Sequence, residues 1–260
     1  MIIKFKDKFE SIFYAVLYGN LTGYYLSSQN EPDDLFQAEE FIEIERLNWK
    51  EILDQHNQKF GKINWFKNQD EQFRQFKNTI ELALRHWKQF KYKLIIETIR
   101  QALKFGLIYV NNKTSNEAKD LLNLTGQVKS DIHRALGFIR FIPIERGKEK
   151  FLLAYFEEDS QVGDLVINNF KNKYFGYNLL IKTSKTVYFL YQHQLYQLAT
   201  NKFDLQITKD NFDKFWEVFY QANFIPERKN TKLAKKLIPK KYWSWLKEGQ
   251  IINQVDKNLI

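Results

Sequence analysis

The sequence predicts an α+β fold with a mainly antiparallel sheet, which is built from two hairpins around a helix and is flanked by N-terminal and C-terminal helices. Residues 138–191 show hairpin, helix and hairpin patterns in turn, and apolar residues on either side recur at helical spacing. The apolar content of 44% is ample for a core in 260 residues. We expect one domain over residues 1–249, with a possible helical sub-region at 66–106 and a polar tail at 250–260.

A strand and a helix are predicted to open the chain. Residues 2–5 have the pattern of a short strand, and apolar residues from Phe9 to Leu17 then recur at helical spacing. From Tyr24 to Trp65 the pattern is poor and partly acidic, although residues 41–45 are compatible with a strand. We assign no function to the acidic residues, because a solvated acidic face is the simpler interpretation.

The middle of the chain is predicted to be helical. Residues 69–104 have apolar stripes with a break near residues 89–91, and Gly106 is a natural helix stop. The polar run 111–116 is the clearest linker. A further helix follows, and its apolar face continues to Ala135.

The step from helix to sheet is predicted at Gly137, with a strand over residues 138–144. In that strand Arg140 is the sole charge among residues that look buried, and a buried guanidinium needs an anion as its partner. His133 lies near the end of the preceding helix. We therefore treat His133 and Arg140 as a candidate catalytic centre, with the histidine as a general acid or base; a structural role for the histidine is the alternative.

Two hairpins around a helix complete the predicted sheet. Residues 138–144 pair with 151–156, a helix begins at Asp159 or Ser160, and residues 178–182 pair with 187–191. An amphipathic helix is then predicted over residues 212–220.

The positive charge is concentrated near the carboxyl end. The chain has a net charge of +9, and residues 228–247 contain eight bases and no acid. Interleaved cations and aromatic rings suit phosphate neutralisation and base stacking. The alternative is a terminal helix whose lysines extend into water while its aromatic rings pack on the core. We predict the following nucleic-acid-binding residues: Arg134, Arg228, Asn230, Lys235, Lys236, Lys240, Lys241, Tyr242 and Trp243.

Several classes of chemistry find no support in the sequence. The chain has no cysteine, which excludes disulfides and thiolate metal sites within it. No phosphate-binding loop or metalloprotease motif occurs, and we expect neither a cofactor nor a bound metal. Glu157, Glu158 and Asp159 could hold magnesium, but no motif completes such a site. The start of the chain resembles neither a leader nor a membrane span, so we expect a cytoplasmic protein without a membrane partner.

Four motifs in the second half of the chain are specific as a set. They read His133-Arg134-x-x-Gly137-Phe138-x-Arg140-Phe141, Phe215-Trp216-x-x-Phe219-Tyr220, Ile225-x-Glu227-Arg228-x-Asn230 and Pro239-x-x-Tyr242-Trp243-x-x-Leu246-x-Glu248. With these motifs the sequence resembles an uncharacterised bacterial family described as probable DNA metabolism or putative DNA repair proteins, and the resemblance extends over nearly the whole chain.

The resemblance implies a role in DNA repair or modification and a protein encoded nearby that acts with this one. Members of that family are typically encoded beside a radical-SAM DNA repair protein, and some are fused ahead of a uracil-DNA glycosylase domain. This chain lacks a glycosylase extension after Glu248, so the resemblance does not imply base excision by the chain itself. Lys240 and Lys241 stand where the family more often has an arginine, which weakens the case for a bidentate phosphate contact there.

These observations predict a DNA-binding accessory protein in DNA repair or modification. The expected partners are DNA and a protein that carries the redox or base-excision chemistry, either a radical-SAM DNA repair protein or a uracil-DNA glycosylase-type protein. One alternative is a nuclease or base-processing enzyme that uses His133. The other is a protein-interaction scaffold whose basic, aromatic tail docks on an acidic surface.

Overall fold

A computed structural model describes residues 1–30, 40–68, 70–146 and 149–200, together with Tyr242, Trp243 and Leu246. The chain divides into two compact units. The first contains residues 1–131 and 159–161, and the second contains residues 132–158 and 162–260. The boundary at residue 131 lies inside the domain predicted for residues 1–249. Both units contain helices and strands, so the α+β class is confirmed.

The first unit combines a small sheet with most of the helices. Its strands are β1 (Ile2–Phe5), β2 (Tyr25–Ser28) and β3 (Phe41–Glu43), and a 3-10 turn follows at Ile44–Arg46. Its helices are α1 (Phe9–Thr22), α2 (Trp49–Phe60), α3 (Asn64–Asn68), α4 (Glu71–Leu84), α5 (Lys91–Phe105) and α6 (Leu107–Asn111). Helix α7 (Asn116–Phe138) begins in this unit and ends in the second.

The small sheet is parallel, so the expectation of a mainly antiparallel sheet was wrong for this unit. Its strand order is β2-β1-β3, with Ile2 opposite both Tyr25 and Phe41. Helix α1 runs from the end of β1 back to the start of β2, and a helical crossover of this kind pairs strands in parallel. Large aromatic and aliphatic side chains fill the core of the unit, among them Phe5, Phe9, Phe13 and Phe76.

The second unit is organised around a five-stranded sheet and one helix. The strands are β4 (Ile142–Arg146), β5 (Glu149–Tyr155), β6 (Asn178–Lys182), β7 (Thr186–Tyr191) and β8 (Gln194–Ala199), paired in the order in which they occur. Helix α8 (Gly163–Lys171) joins β5 to β6, which pair in parallel, while the other three pairs are antiparallel. The predicted sequence of hairpin, helix and hairpin is therefore present.

The end of α7 differs from the prediction. The helix continues through Gly137 to Phe138, the amide of Ile139 still donates to the carbonyl of Ala135 at 2.9 Å, and β4 begins only at Ile142. The apolar run after Gly137 suggested a strand, but its first residues form the last helical turn. The predicted strand over residues 138–144 therefore starts four residues late.

Close contact holds the start of α8 against the sheet. A Cβ atom added at Gly163 would lie 2.1 Å from the Cε2 atom of Tyr188, a ring carbon in β7. Tyr188 is fully buried and its hydroxyl lies 3.5 Å from both oxygens of the buried Glu158 carboxylate. The ring therefore has little room to move, and position 163 must lack a side chain.

We predict that Gly163→Ala lowers the free energy of unfolding by about 3 kcal/mol, because the added methyl group overlaps the Tyr188 ring. The matched control is Gly126→Ala in the middle of α7, where an added Cβ meets no atom within 4 Å. Alanine there should raise stability by up to about 1 kcal/mol through its helix propensity. Urea denaturation followed by circular dichroism measures both values; equal stabilities of the two variants would contradict the packing argument.

Candidate nucleic-acid interface

The predicted catalytic centre lies at the exposed end of α7. Both His133 and Arg140 are exposed. The Nη1 atom of Arg140 donates to the carbonyl oxygens of Gly137 at 3.0 Å and Ile139 at 3.2 Å. A cation in this place satisfies the last carbonyls of a helix and offsets the negative end of its dipole. The expectation that Arg140 is buried and needs an anion as its partner was therefore wrong.

His133 shows none of the contacts that activate a catalytic histidine. A general acid or base is usually oriented by a hydrogen bond from a neighbouring side chain. Among the residues that the structure describes, His133 has no such partner, and its side chain faces solvent. The geometry thus offers no observation that favours the enzyme hypothesis.

The described aromatic residues of the basic segment are buried. Tyr242 is 2% exposed and Trp243 is 1% exposed, and both contribute to the core of the second unit. The ring of Tyr242 lies 6.0 Å from that of Phe138, and the guanidinium carbon of Arg134 lies 6.0 Å from the Tyr242 ring centre. Buried rings present no face to a base, so the burial does not favour the stacking role predicted for Tyr242 and Trp243. Arg134 contacts Tyr242.

The other predicted phosphate-binding residues lie outside the described residues. Their role in nucleic-acid binding stays a prediction. They are Arg228, Asn230, Lys235, Lys236, Lys240 and Lys241.

An exposed aromatic loop follows α8 in the second unit. We call residues 171–177 the aromatic loop; they read Lys-Asn-Lys-Tyr-Phe-Gly-Tyr. Phe175 is 83% exposed, and Tyr177 is also exposed. Gly176 has a φ of +86°, a conformation that favours glycine and that turns the chain towards β6. Two exposed rings on one short turn make this loop a candidate for binding.

The base of the aromatic loop is fixed by packing. The Tyr174 ring lies 5.1 Å from the ring of Phe141, which also lies 5.0 Å from the ring of Phe170 in α8. The amide of Tyr174 donates to the carbonyl of Phe170 at 3.0 Å. Because its neighbour Tyr174 is held in this cluster, Phe175 projects from a supported turn.

Two lysines precede the exposed ring in the sequence. Lys173 lies with its Nζ atom 5.8 Å from the Phe170 ring centre and 5.5 Å from that of Tyr174, and Lys171 ends α8. The sequence contains no Asp or Glu between Leu165 and Phe203. The aromatic loop therefore joins exposed rings to lysines in an acid-free stretch of sequence, and exposed rings beside cations are the combination that binds single-stranded nucleic acid.

Sequence reasoning missed the aromatic loop, although a signal existed. The basic segment near the carboxyl end has a higher density of positive charge than the aromatic loop and its neighbours, so it was the stronger candidate. The acid-free stretch from residue 165 to residue 203 contains only five lysines and has the strand and helix pattern of a folded core. A search for acid-free stretches with a glycine beside aromatic residues would have found Phe175, Gly176 and Tyr177.

Glu158 fixes the start of the helix that leads to the aromatic loop. Its buried carboxylate accepts hydrogen bonds from the Thr183 hydroxyl at 3.0 Å and the Val162 amide at 3.2 Å. Burial raises the pKa of Glu158 above its ordinary value, and hydrogen bonds from Thr183, Val162, Gly163 and Tyr188 partly offset this rise. With both oxygens engaged, the carboxylate serves the fold, and the geometry does not favour the magnesium alternative.

Two further searches cover the described part of the chain. No group of three or more His, Asp or Glu residues within it is arranged to hold a metal ion. No helix within it has both the length and the apolar character needed to cross a membrane.

A protein-family model matches more than half of the chain. The family model described as domain of unknown function DUF4130 matches residues 89–248, which is 160 of the 260 residues. The chain belongs to the DUF4130 family. The resemblance to an uncharacterised domain family is thereby confirmed, and the DUF4130 match includes α8 and the whole aromatic loop. No curated protein matches the chain.

We predict that Glu158→Gln changes how stability depends on pH. Because folding raises the pKa of Glu158 above the ordinary 4.5, this group favours the folded state most below that value. Its contribution falls as the pH rises through the raised pKa. The unfolding free energy of the wild type should therefore decrease relative to that of Glu158→Gln between low and neutral pH.

Urea denaturation at a series of pH values measures this difference. Glu157→Gln, on the exposed neighbouring side chain, is the control for the loss of one negative charge. A difference between wild type and Glu158→Gln that stays constant with pH would contradict the assigned origin of the pKa shift.

Proposed function

We propose that this DUF4130 protein is a DNA-binding accessory protein in DNA repair or modification, and that it contacts an unpaired strand through the aromatic loop. The single observation behind the mode of binding is Phe175, 83% exposed beside lysines in a stretch without acids. Every base has a π-face, so an exposed ring binds unpaired bases of any sequence. Lysines next to the ring neutralise the phosphates on either side of a stacked base.

The preference for an unpaired strand follows from the shape of this surface. An exposed phenylalanine on a short turn can stack only on a base that has left the duplex. The aromatic loop contains no helix that could enter a major groove, since α8 ends at Lys171 where the loop begins. A strand with unpaired bases, as occurs during repair, is therefore the substrate class that fits.

The place of this protein in repair rests on the sequence resemblance. That resemblance supports a partner that carries the chemistry, of the radical-SAM DNA repair or uracil-DNA glycosylase type. His133 is exposed and has no orienting side chain among the described residues. This agrees with a partner, and not this chain, carrying the chemistry. In this proposal the chain holds the strand and the partner alters the base.

Phe175→Ala should weaken binding to a fluorescently labelled single-stranded oligonucleotide by about 5- to 150-fold, the value of one stacked base. Fluorescence anisotropy at fixed salt measures the affinity. The matched control is Phe90→Ala, which removes a half-exposed ring elsewhere in the chain, with the Nζ atom of Lys88 5.5 Å from the ring centre. Equal affinities of the Phe175 variant and the wild type would reject the stacking assignment.

Replacement of Lys171 and Lys173 together by glutamine should reduce the slope of log affinity against log salt by about 1.4, because each phosphate contact on a single strand contributes about 0.7. The same titration on a variant with Lys235, Lys236, Lys240 and Lys241 replaced tests the predicted carboxy-terminal contacts. A slope that neither set of substitutions changes would show that these lysines do not bind phosphates.

A further inference from the structure

A cleft of about 600 Å³ lies in the first unit, where α2 and α5 end. This volume is within the range of sites for small molecules. Gly61 follows α2 with φ +93° and ψ 160°, and Gly106 follows α5 with φ +85° and ψ 167°. Glycine adopts this conformation readily and other residues do not. Both glycines line the cleft and leave bare backbone at its edge.

The cleft is positively charged. Lys62, Arg100 and Lys104 line it, and no acid lines it among the residues that the structure describes. The Nη1 atom of Arg100 lies 2.7 Å from the Oε1 atom of Glu97 one helical turn before it, and this pair orients the guanidinium. The carboxyl ends of α2 and α5 each contribute about half a negative charge, and Glu97 contributes a full one. The three cations therefore leave an excess of about one positive charge.

Planar and amide side chains face the same space. The cleft is lined by Trp65 and by Phe60, which is half-exposed, and both offer ring surface to a ligand. Asn20 and Asn64 also line it, and an amide can donate and accept hydrogen bonds at once. Rings beside amides suit a ligand that contains a flat heterocycle with polar edges. A simple anion has no such heterocycle.

A buried histidine in the wall lacks a hydrogen-bond partner. His56 is 4% exposed and lines the cleft, and its Nδ1 atom is buried with no partner among the described residues. Burial lowers the pKa of His56, so the ring is neutral at neutral pH. A buried polar atom without a partner costs about 1–3 kcal/mol, and a functional role of the site is one explanation for such a cost in a native protein.

We propose that this cleft binds a nucleoside monophosphate, with its phosphate at Arg100 and Lys104 and its base beside Trp65. The three cations would neutralise the phosphate, and the rings and amides would contact the base. The volume of the cleft is sufficient for a ligand of this size. This site is independent of the aromatic loop, and it stands whether or not that loop binds a DNA strand.

Isothermal titration calorimetry of the full chain with 2′-deoxyadenosine 5′-monophosphate tests the proposal. Saturable binding is expected, and Arg100→Gln combined with Lys104→Gln should weaken it by about tenfold or more, because hydrogen bonds to charged groups are lost. Lys93→Gln is the matched control, since this exposed lysine lies on the same helix outside the cleft. Thermal denaturation of each variant verifies that it is folded.

Two further probes separate the parts of the ligand. Inorganic phosphate and deoxyadenosine should each bind more weakly than the nucleotide. Phosphate that binds as tightly as the nucleotide would overturn the base assignment, deoxyadenosine that does so would overturn the phosphate assignment, and no binding of the nucleotide would overturn the site. Phe175→Ala should leave nucleotide binding unchanged, so failure of the strand-binding proposal is distinguishable from failure of this one.

Discussion

The contact between the backbone of Gly163 and the buried ring of Tyr188 is the constraint on which the second unit depends. It brings α8 directly onto β7, and Glu158 fixes the first turn of the helix through the amide of Val162. Because Tyr188 and Glu158 are both buried, these contacts hold α8 in one position on its sheet. The aromatic loop begins where that helix ends, so the exposure of Phe175 follows from packing several residues away.

The same residue types have different roles in different parts of the chain. Aromatic rings next to cations occur in the buried Tyr242, in the exposed Phe175 and in the cleft at Trp65. Tyr242 packs inside the second unit beside Arg134, and Trp65 belongs partly to the core of the first unit. Of these three rings, Phe175 is the one that presents most of its surface to water. Composition identifies candidates for stacking, but burial decides which of them can meet a base.

The proposed strand-binding loop and the proposed nucleotide cleft differ in physical design. The loop is convex, and its affinity would come from one ring and from phosphate neutralisation, so salt should weaken it strongly. The cleft is concave, and charged, aromatic and amide groups line it. Enclosed contacts are screened less by salt than exposed ones, and they distinguish one ligand from another more sharply.

Local signals were sufficient for much of the fold. The sequence predicted the break between α4 and α5, the helix stop at Gly106 and the order of hairpin, helix and hairpin. Each of these features depends on the spacing of apolar residues or on a glycine. Helix α2 was missed, although Asn48 caps it and its side-chain amide donates to Glu51 at 2.7 Å, a pattern visible in the sequence. The parallel pairing of β1 was not predictable, because its partners lie more than twenty residues away.

The sequence by itself determined the α+β class, the concentration of positive charge and the family resemblance, because composition and short-range periodicity are properties of the chain before it folds. The tertiary structure alone decided that Arg140 is exposed, that Tyr242 and Trp243 are buried, and that Phe175 is accessible. It also brought Lys62 and Arg100 to the same cleft. Exposure and proximity depend on contacts between distant segments, which no local pattern records.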